Sequence, residues 1–88
     1  MTQNYEFQCL DAQPTVIATY QLNPYIVVGF KGGLVRLFDI QNFVFVKELT
    51  EPQGDVLRIA VSHDDQTIAI ADSTGTLNIY DGQGEYRK

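Results

Sequence analysis

Apolar residues come in short blocks along this chain, and no block keeps helical spacing. "TVIATY" (15–20), "YIVVGF" (25–30), "LVRLF" (34–38), "FVFVKEL" (43–49), "VLRIAV" (56–61), "TIAIA" (67–71) and "TLNIY" (76–80) are rich in β-branched and aromatic residues. Such side chains fit a pleated, half-buried surface. Polar punctuation separates the blocks: Asn23-Pro24, Lys31-Gly32-Gly33, Pro52-Gln53-Gly54-Asp55, His63-Asp64-Asp65, Ser73-Thr74-Gly75 and Asp81-Gly82. These residues enter turns through positive φ, fixed φ or local side-chain hydrogen bonds. With no amphipathic stretch of three helical turns, little or no helix is expected. The pattern predicts an all-β chain.

The blocks also repeat. A shift of 42 sets residues 14–40 on 56–82 without a gap. Ile17 falls on Ile59, Ala18 on Ala60, Ile26 on Ile68, Gly33 on Gly75 and Asp39 on Asp81. Val28 meets Ile70, Val35 meets Leu77, Leu37 meets Ile79 and Phe38 meets Tyr80, and further back Glu6-Phe7 lands on Glu48-Leu49. Matched strands, matched turns and a matched aromatic–Asp pair in one register point to a duplicated unit.

A unit of roughly 40–45 residues with four strands and an aromatic–Asp pair closing the third resembles a blade of the WD40 propellers. Residues 27–39, "VVGFKGGLVRLFD", and 69–81, "AIADSTGTLNIYD", are similar to the family's "ASGSxDGTVRLWD". Residues 60–66, "AVSHDDQ", stand where the family has "AFSPDGK", and 18–24, "ATYQLNP", match the same segment more loosely. The departures are specific. Phe38 and Tyr80 replace the tryptophan, Gly32 and Thr74 occupy the turn position where the family prefers Asp, and Glu51-Pro52 stands where Gly-His would precede strand a. The His–Asp–Ser–Trp hydrogen-bond network of many WD40 blades cannot form in either copy. The resemblance implies part of a seven- or eight-bladed ring of four-stranded antiparallel blades; a two-sheet sandwich is the structural rival.

In blade order, residues 1–13 would hold the outer strand d of a preceding blade, at Tyr5–Leu10. Residues 14–55 would form one blade, and 56–88 a second whose strand d is only begun by "GEYRK". Ile17, Val27, Val35, Ile59, Ile68 and Leu77 are expected at the contacts between blades. Two blades leave apolar outer faces bare, since repeat folds of this kind need roughly three units to sustain a core. Two resolutions follow. The stop at Lys88, a few residues into a strand, favours a piece of a longer chain, whereas Met1 argues for a complete one. In the second case strand d of one copy would complete the next, closing a ring as a homo-trimer or homo-tetramer.

Charge narrows the partners. Six Lys and Arg against eleven Asp and Glu give −5, with no basic cluster. Nucleic acid and anionic membrane surfaces are therefore poor candidates. Every apolar run is shorter than the roughly 20 residues that span a bilayer. "MTQNYEFQ" has neither the basic start nor the apolar run of a signal peptide. Cys9 is the only cysteine, so no internal disulfide forms, and a cytoplasmic setting is the expectation.

Candidate chemistry is sparse. His63, the only histidine, lies beside Asp64 and Asp65, where a base–carboxylate pair could be imagined; a solvated turn residue explains it better. Ser62 and Ser73 lie on different loops, so no catalytic triad can be drawn. Asp64-Asp65 and the Asp72–Gly75 turn lack the spaced oxygen ligands of a calcium loop, Cys9 has no partner for zinc, and no metal or cofactor is expected. "KGG" at 31–33 lacks P-loop spacing, and its glycines suit a hairpin with positive φ. Phe43 and Phe45 alternate with Val44 and Val46, so one pair should pack inward and the other could meet a partner.

The resemblance adds a docking face, because b–c and d–a loops gather at one end of such propellers. Here that end would carry Phe30, Lys31, Glu51, Asp55, Asp72 and Ser73 as partner-binding candidates. Phe30 reads equally well as a contact residue or a buried one. The implied function is a non-enzymatic protein–protein scaffold within a multiprotein assembly. "GFKGGLVRLFDI" is similar to large structural WD-repeat proteins of cilia and centrioles, which adds the cilium or cytoskeleton as a secondary expectation.

Overall fold

A computed structural model of the chain describes residues 13–49 and 52–87. Its strands are β1 (Pro14–Thr19), β2 (Tyr25–Phe30), β3 (Val35–Asp39), β4 (Val44–Leu49), β5 (Val56–Val61), β6 (Thr67–Asp72), β7 (Leu77–Asp81) and β8 (Tyr86–Arg87). They form two antiparallel meanders, β1-β2-β3-β4 and β5-β6-β7-β8, with no helix among the described residues. The strand expected at Tyr5–Leu10, along with Cys9 and Glu51, lies outside the described residues.

The two sheets share details of register as well as order. β1 carries a bulge between Pro14 and Val16, and β5 carries one between Val56 and Arg58, 42 positions on. Each third strand ends in an aromatic that meets an aromatic of the outer strand edge to face. Phe38 and Phe45 are 5.8 Å apart, and Tyr80 and Tyr86 are 5.5 Å apart. Gly32, Gly33 and Gly75 take φ of 90°, 97° and 87° in the β2–β3 and β6–β7 turns, the left-handed conformation anticipated for "KGG".

The sheets pack face to face, but through opposite faces. Val27, Val35, Leu37 and Leu49 of the first sheet join Val56, Ile68, Ile70 and Tyr80 of the second in one buried cluster. Residues directly opposite in an antiparallel pair share a face, as Val27 and Leu37 do in one sheet and Ile68 and Tyr80 in the other. A residue buried in one repeat therefore has its counterpart facing away in the other. This corrects two expected contacts. Leu77, counterpart of Val35, is 62% exposed, and Ile17, counterpart of the half-buried Ile59, is 56% exposed. The other face of the first sheet holds a second cluster, Ile26, Val28, Phe30 and Phe38, with Leu34 packed against it.

The sheets come closest at their first strands, β1 and β5, with β2 beside them. Gly29 makes that approach possible, because a methyl group there would sit 2.7 Å from Val56 Cβ. Its counterpart in the second sheet is Ala71. Gly29→Ala should therefore destabilise the fold by about 1–3 kcal/mol, the usual cost of overfilling a packed site. Denaturant titration of the wild type and the variant measures it.

Candidate functional site

The loop end foreseen for partners is assembled by hydrogen bonds around two carboxylates. Asp55, in the segment entering β5, accepts from the Gly32 amide at 2.7 Å through Oδ1. Its backbone pairs with Ser73: the Ser73 amide donates to the Asp55 carbonyl at 2.8 Å, and the Asp55 amide donates to Ser73 Oγ at 2.9 Å. Asp72, at the end of β6, takes the Gln53 amide on Oδ2 at 3.0 Å, and the Thr74 amide on Oδ1 at 3.0 Å. The β2–β3 turn, the entry to β5 and the β6–β7 turn are thus one bonded unit. Asp72 is 2% exposed, yet it stays charged. The Thr74 hydroxyl above all, then the Gln53 amide, hold its carboxyl down at about 2.

The candidates part company here. Asp55, Asp72 and Ser73 are brought together and spend their polar groups on the loops themselves. Lys31 lies beside them, exposed, its amide bonded to the Gln13 carbonyl at 2.9 Å. Phe30, open to either reading in the sequence, is 2% exposed in the second cluster. Glu51 lies outside the described residues. Among the described candidates, the side chain left exposed at this end is that of Lys31.

The opposite end holds a clasp that sequence reasoning did not single out. Asp65, 3% exposed, receives the Gln21 amide on Oδ1 at 2.7 Å. Its Oδ2 takes the Leu22 amide at 2.8 Å, the Asn23 amide at 3.1 Å and Asn23 Nδ2 at 2.9 Å. Burial works against this charge, but the donated amides outweigh it and keep the carboxyl below its ordinary value. Close by, Tyr20 reaches across to donate its hydroxyl to the Gly82 carbonyl at 2.7 Å. Burial, with Asp65 and Asp81 adding repulsion, raises that phenol to about 12. The signal was present: Tyr20 and Asp65 stand where the WD40 turn takes serine and glycine. Ser62, the second repeat's counterpart of Tyr20, closes its own turn through Asp64 Oδ1 at 2.7 Å and the Thr67 amide at 3.0 Å.

His63 is exposed beside an Asp64 whose carboxylate is engaged by Ser62 Oγ and the Gln66 amide. Among the described residues no group of three or more His, Cys, Asp or Glu gathers to hold a metal. Among the described residues no helix is long and apolar enough to cross a membrane.

Two antiparallel four-stranded sheets, repeated in register and stacked through opposite faces, are consistent with two successive WD40-like blades. The chain is similar to Periodic tryptophan protein 2 of Saccharomyces cerevisiae, 26% identical over 86 residues. That match takes in 97% of this chain and 9% of the yeast protein, so the chain spans a small part of this relative's length. No family model matches the chain.

The clasp can be tested by sign. Asp65 has φ of 60°, a left-handed conformation that glycine would hold with less strain. Asp65→Gly should nonetheless lower the thermal midpoint by several degrees, because four donors lose their acceptor. A higher midpoint would mean that backbone strain outweighs the clasp. Acid titration tests the other end. Asp72 titrates lower folded than its free value of 3.8, so the stability it lends is complete above that value and lost as pH falls through about 2. Asp72→Asn should flatten that part of the acid unfolding curve followed by circular dichroism.

Proposed function

We propose that the chain contributes two blades to a larger WD40-type propeller, a non-enzymatic scaffold on which other proteins assemble. One observation carries this reading. The far face of the second sheet repeats the contact face of the first, with Ala69 for Val27, Leu77 for Val35 and Ile79 for Leu37, and Leu77 there is 62% exposed. A face built to receive the next blade suits a segment of a longer stack. The similarity to a WD-repeat protein many times longer supports the same reading. The loop end, tied by Asp55, Asp72 and Ser73 and offering Lys31, is the surface assigned to partners, in a cytoplasmic setting.

The open face also favours a second reading, closure of a ring by three or four copies. Light scattering after size exclusion separates the two. The scaffold reading expects the isolated 88-residue chain to associate without fixed stoichiometry, and Leu77→Lys to suppress that association. A discrete trimer or tetramer that survives dilution would establish the ring instead. For the partner face, an amine-reactive crosslinker in cells should join Lys31 reproducibly to the same foreign proteins; crosslinks to this polypeptide alone would rule the scaffold role out.

A further inference from the structure

Strand register defines the outer face of the second sheet. One row runs Arg58, Ala71 and Leu77, and the next runs Ala60, Ala69, Ile79 and Arg87. Leu77 is 62% exposed, and Arg58, Ala60 and Arg87 are exposed with it. An apolar middle is thus flanked by an arginine on the first strand and another on the last. Neither arginine pairs with a carboxylate among the described residues, where the ion-paired cations are Arg36 and Lys47. Asp81, at one end of this face, gives its Oδ1 to the amides of Gln83 and Glu85.

The contact already made between the two sheets shows what such a face receives. On the first sheet the matching positions are Val16, Val27 and Gly29, and they meet β5, the first strand of the following sheet. The second sheet changes all three, to Arg58, Ala69 and Ala71. Ala71 fills the clearance that Gly29 leaves, since a methyl group at Gly29 would sit 2.7 Å from Val56 Cβ. Ala69 leaves room that Val27 takes up. Arg58 brings a charge to a place that is purely apolar in the first contact.

Neither sheet of a second copy suits this face. A copy of the second sheet would press its Val56 on the Ala71 methyl. A copy of the first would have to offer its own outer face, where Ile26, Val28, Phe30 and Phe38 are already buried within the chain. Their first strands, VLRIAV and PTVIAT, also hold no carboxylate, and burying Arg58 against an apolar strand leaves its charge unpaired. We propose that this face docks the next blade of a longer polypeptide, one unlike both described sheets. Its first strand carries a carboxylate facing Arg58 and a residue no larger than alanine at the position of Val56. The exchange of Val16 for Arg58 then sets which neighbour follows which, because a wrong sheet leaves the arginine unpaired. The docking rests on the scaffold reading and names the neighbour's chemistry.

The test places the photo-crosslinker p-benzoylphenylalanine at Leu77 in the polypeptide as expressed in cells, with the joined peptides mapped by mass spectrometry. Leu77 should join a strand of the same polypeptide outside residues 1–88, and that strand should hold an Asp or Glu. Arg58→Glu should cut the yield about tenfold, because like charges then meet in the contact. Changing the mapped carboxylate to arginine in the same molecule should restore it. In the isolated 88-residue chain, Arg58→Glu should leave the thermal midpoint unchanged, since the side chain is exposed there. A lowered midpoint would assign Arg58 to this fold itself and overturn the proposal. A yield unmoved by Arg58→Glu, or a joined strand without a carboxylate, overturns it while the larger propeller stands. Joining to another protein overturns it too. Joining to residues 13–49 of a second copy, or to nothing, removes the larger propeller as well.

Discussion

Everything in this chain depends on one face of the first sheet being covered by the opposite face of the second. A four-stranded meander has two faces, and each repeat places apolar residues on both. A sheet standing alone would forgo that cover, and burying one valine, leucine or isoleucine side chain contributes roughly 1.5–3 kcal/mol. Val27, Val35 and Leu37 meet Ile68, Ile70 and Tyr80, and the close approach at Gly29 and Val56 sets how tightly they interdigitate. The geometry is directional. A repeat stacked this way always presents an unused copy of its own contact face, which is why Leu77 lies open where its counterpart Val35 is sealed.

Polar groups then fix what the apolar contact leaves free. Interdigitated aliphatic side chains oppose separation but tolerate sliding and rotation, whereas hydrogen bonds at two ends fix an angle. At one end Asp72 and Asp55 bind the turns of both sheets to the segment between them. At the other, Asp65 gathers the turn of the first sheet and Tyr20 reaches to Gly82 of the second. Both ends use a carboxylate surrounded by backbone amides, a device that tolerates burial because the donors replace lost water. The WD40 tetrad would have braced each blade internally. These contacts brace one sheet against the other instead, so two stacked four-stranded sheets form without that network.

Strand positions and turn chemistry were legible in the sequence because they depend on neighbours along the chain. Alternation placed every apolar block in a strand, and the glycines at 32 and 33 announced positive φ. The faces were harder. Period-two patterning tells which residues share a face but not which face meets a neighbour, and a 42-residue repeat suggests wrongly that counterparts share an environment. Ile17 and Leu77 lie away from the contact between these two sheets for that reason. Asp65 was invisible for a related one. Its value lies in amides 42 to 44 positions away, and a local reading sees only an acidic turn.

The differences between the two repeats show how one backbone pattern serves two sets of contacts. Where the repeats agree, as in the bulges of β1 and β5 and the aromatic pairs of the outer strands, the shared requirement is the stack itself. Where they differ, the same position serves different contacts in the two copies. Phe30 against Asp72 exchanges a buried aromatic for a loop-binding carboxylate, and Tyr20 against Ser62 exchanges a contact across the sheets for one within a turn.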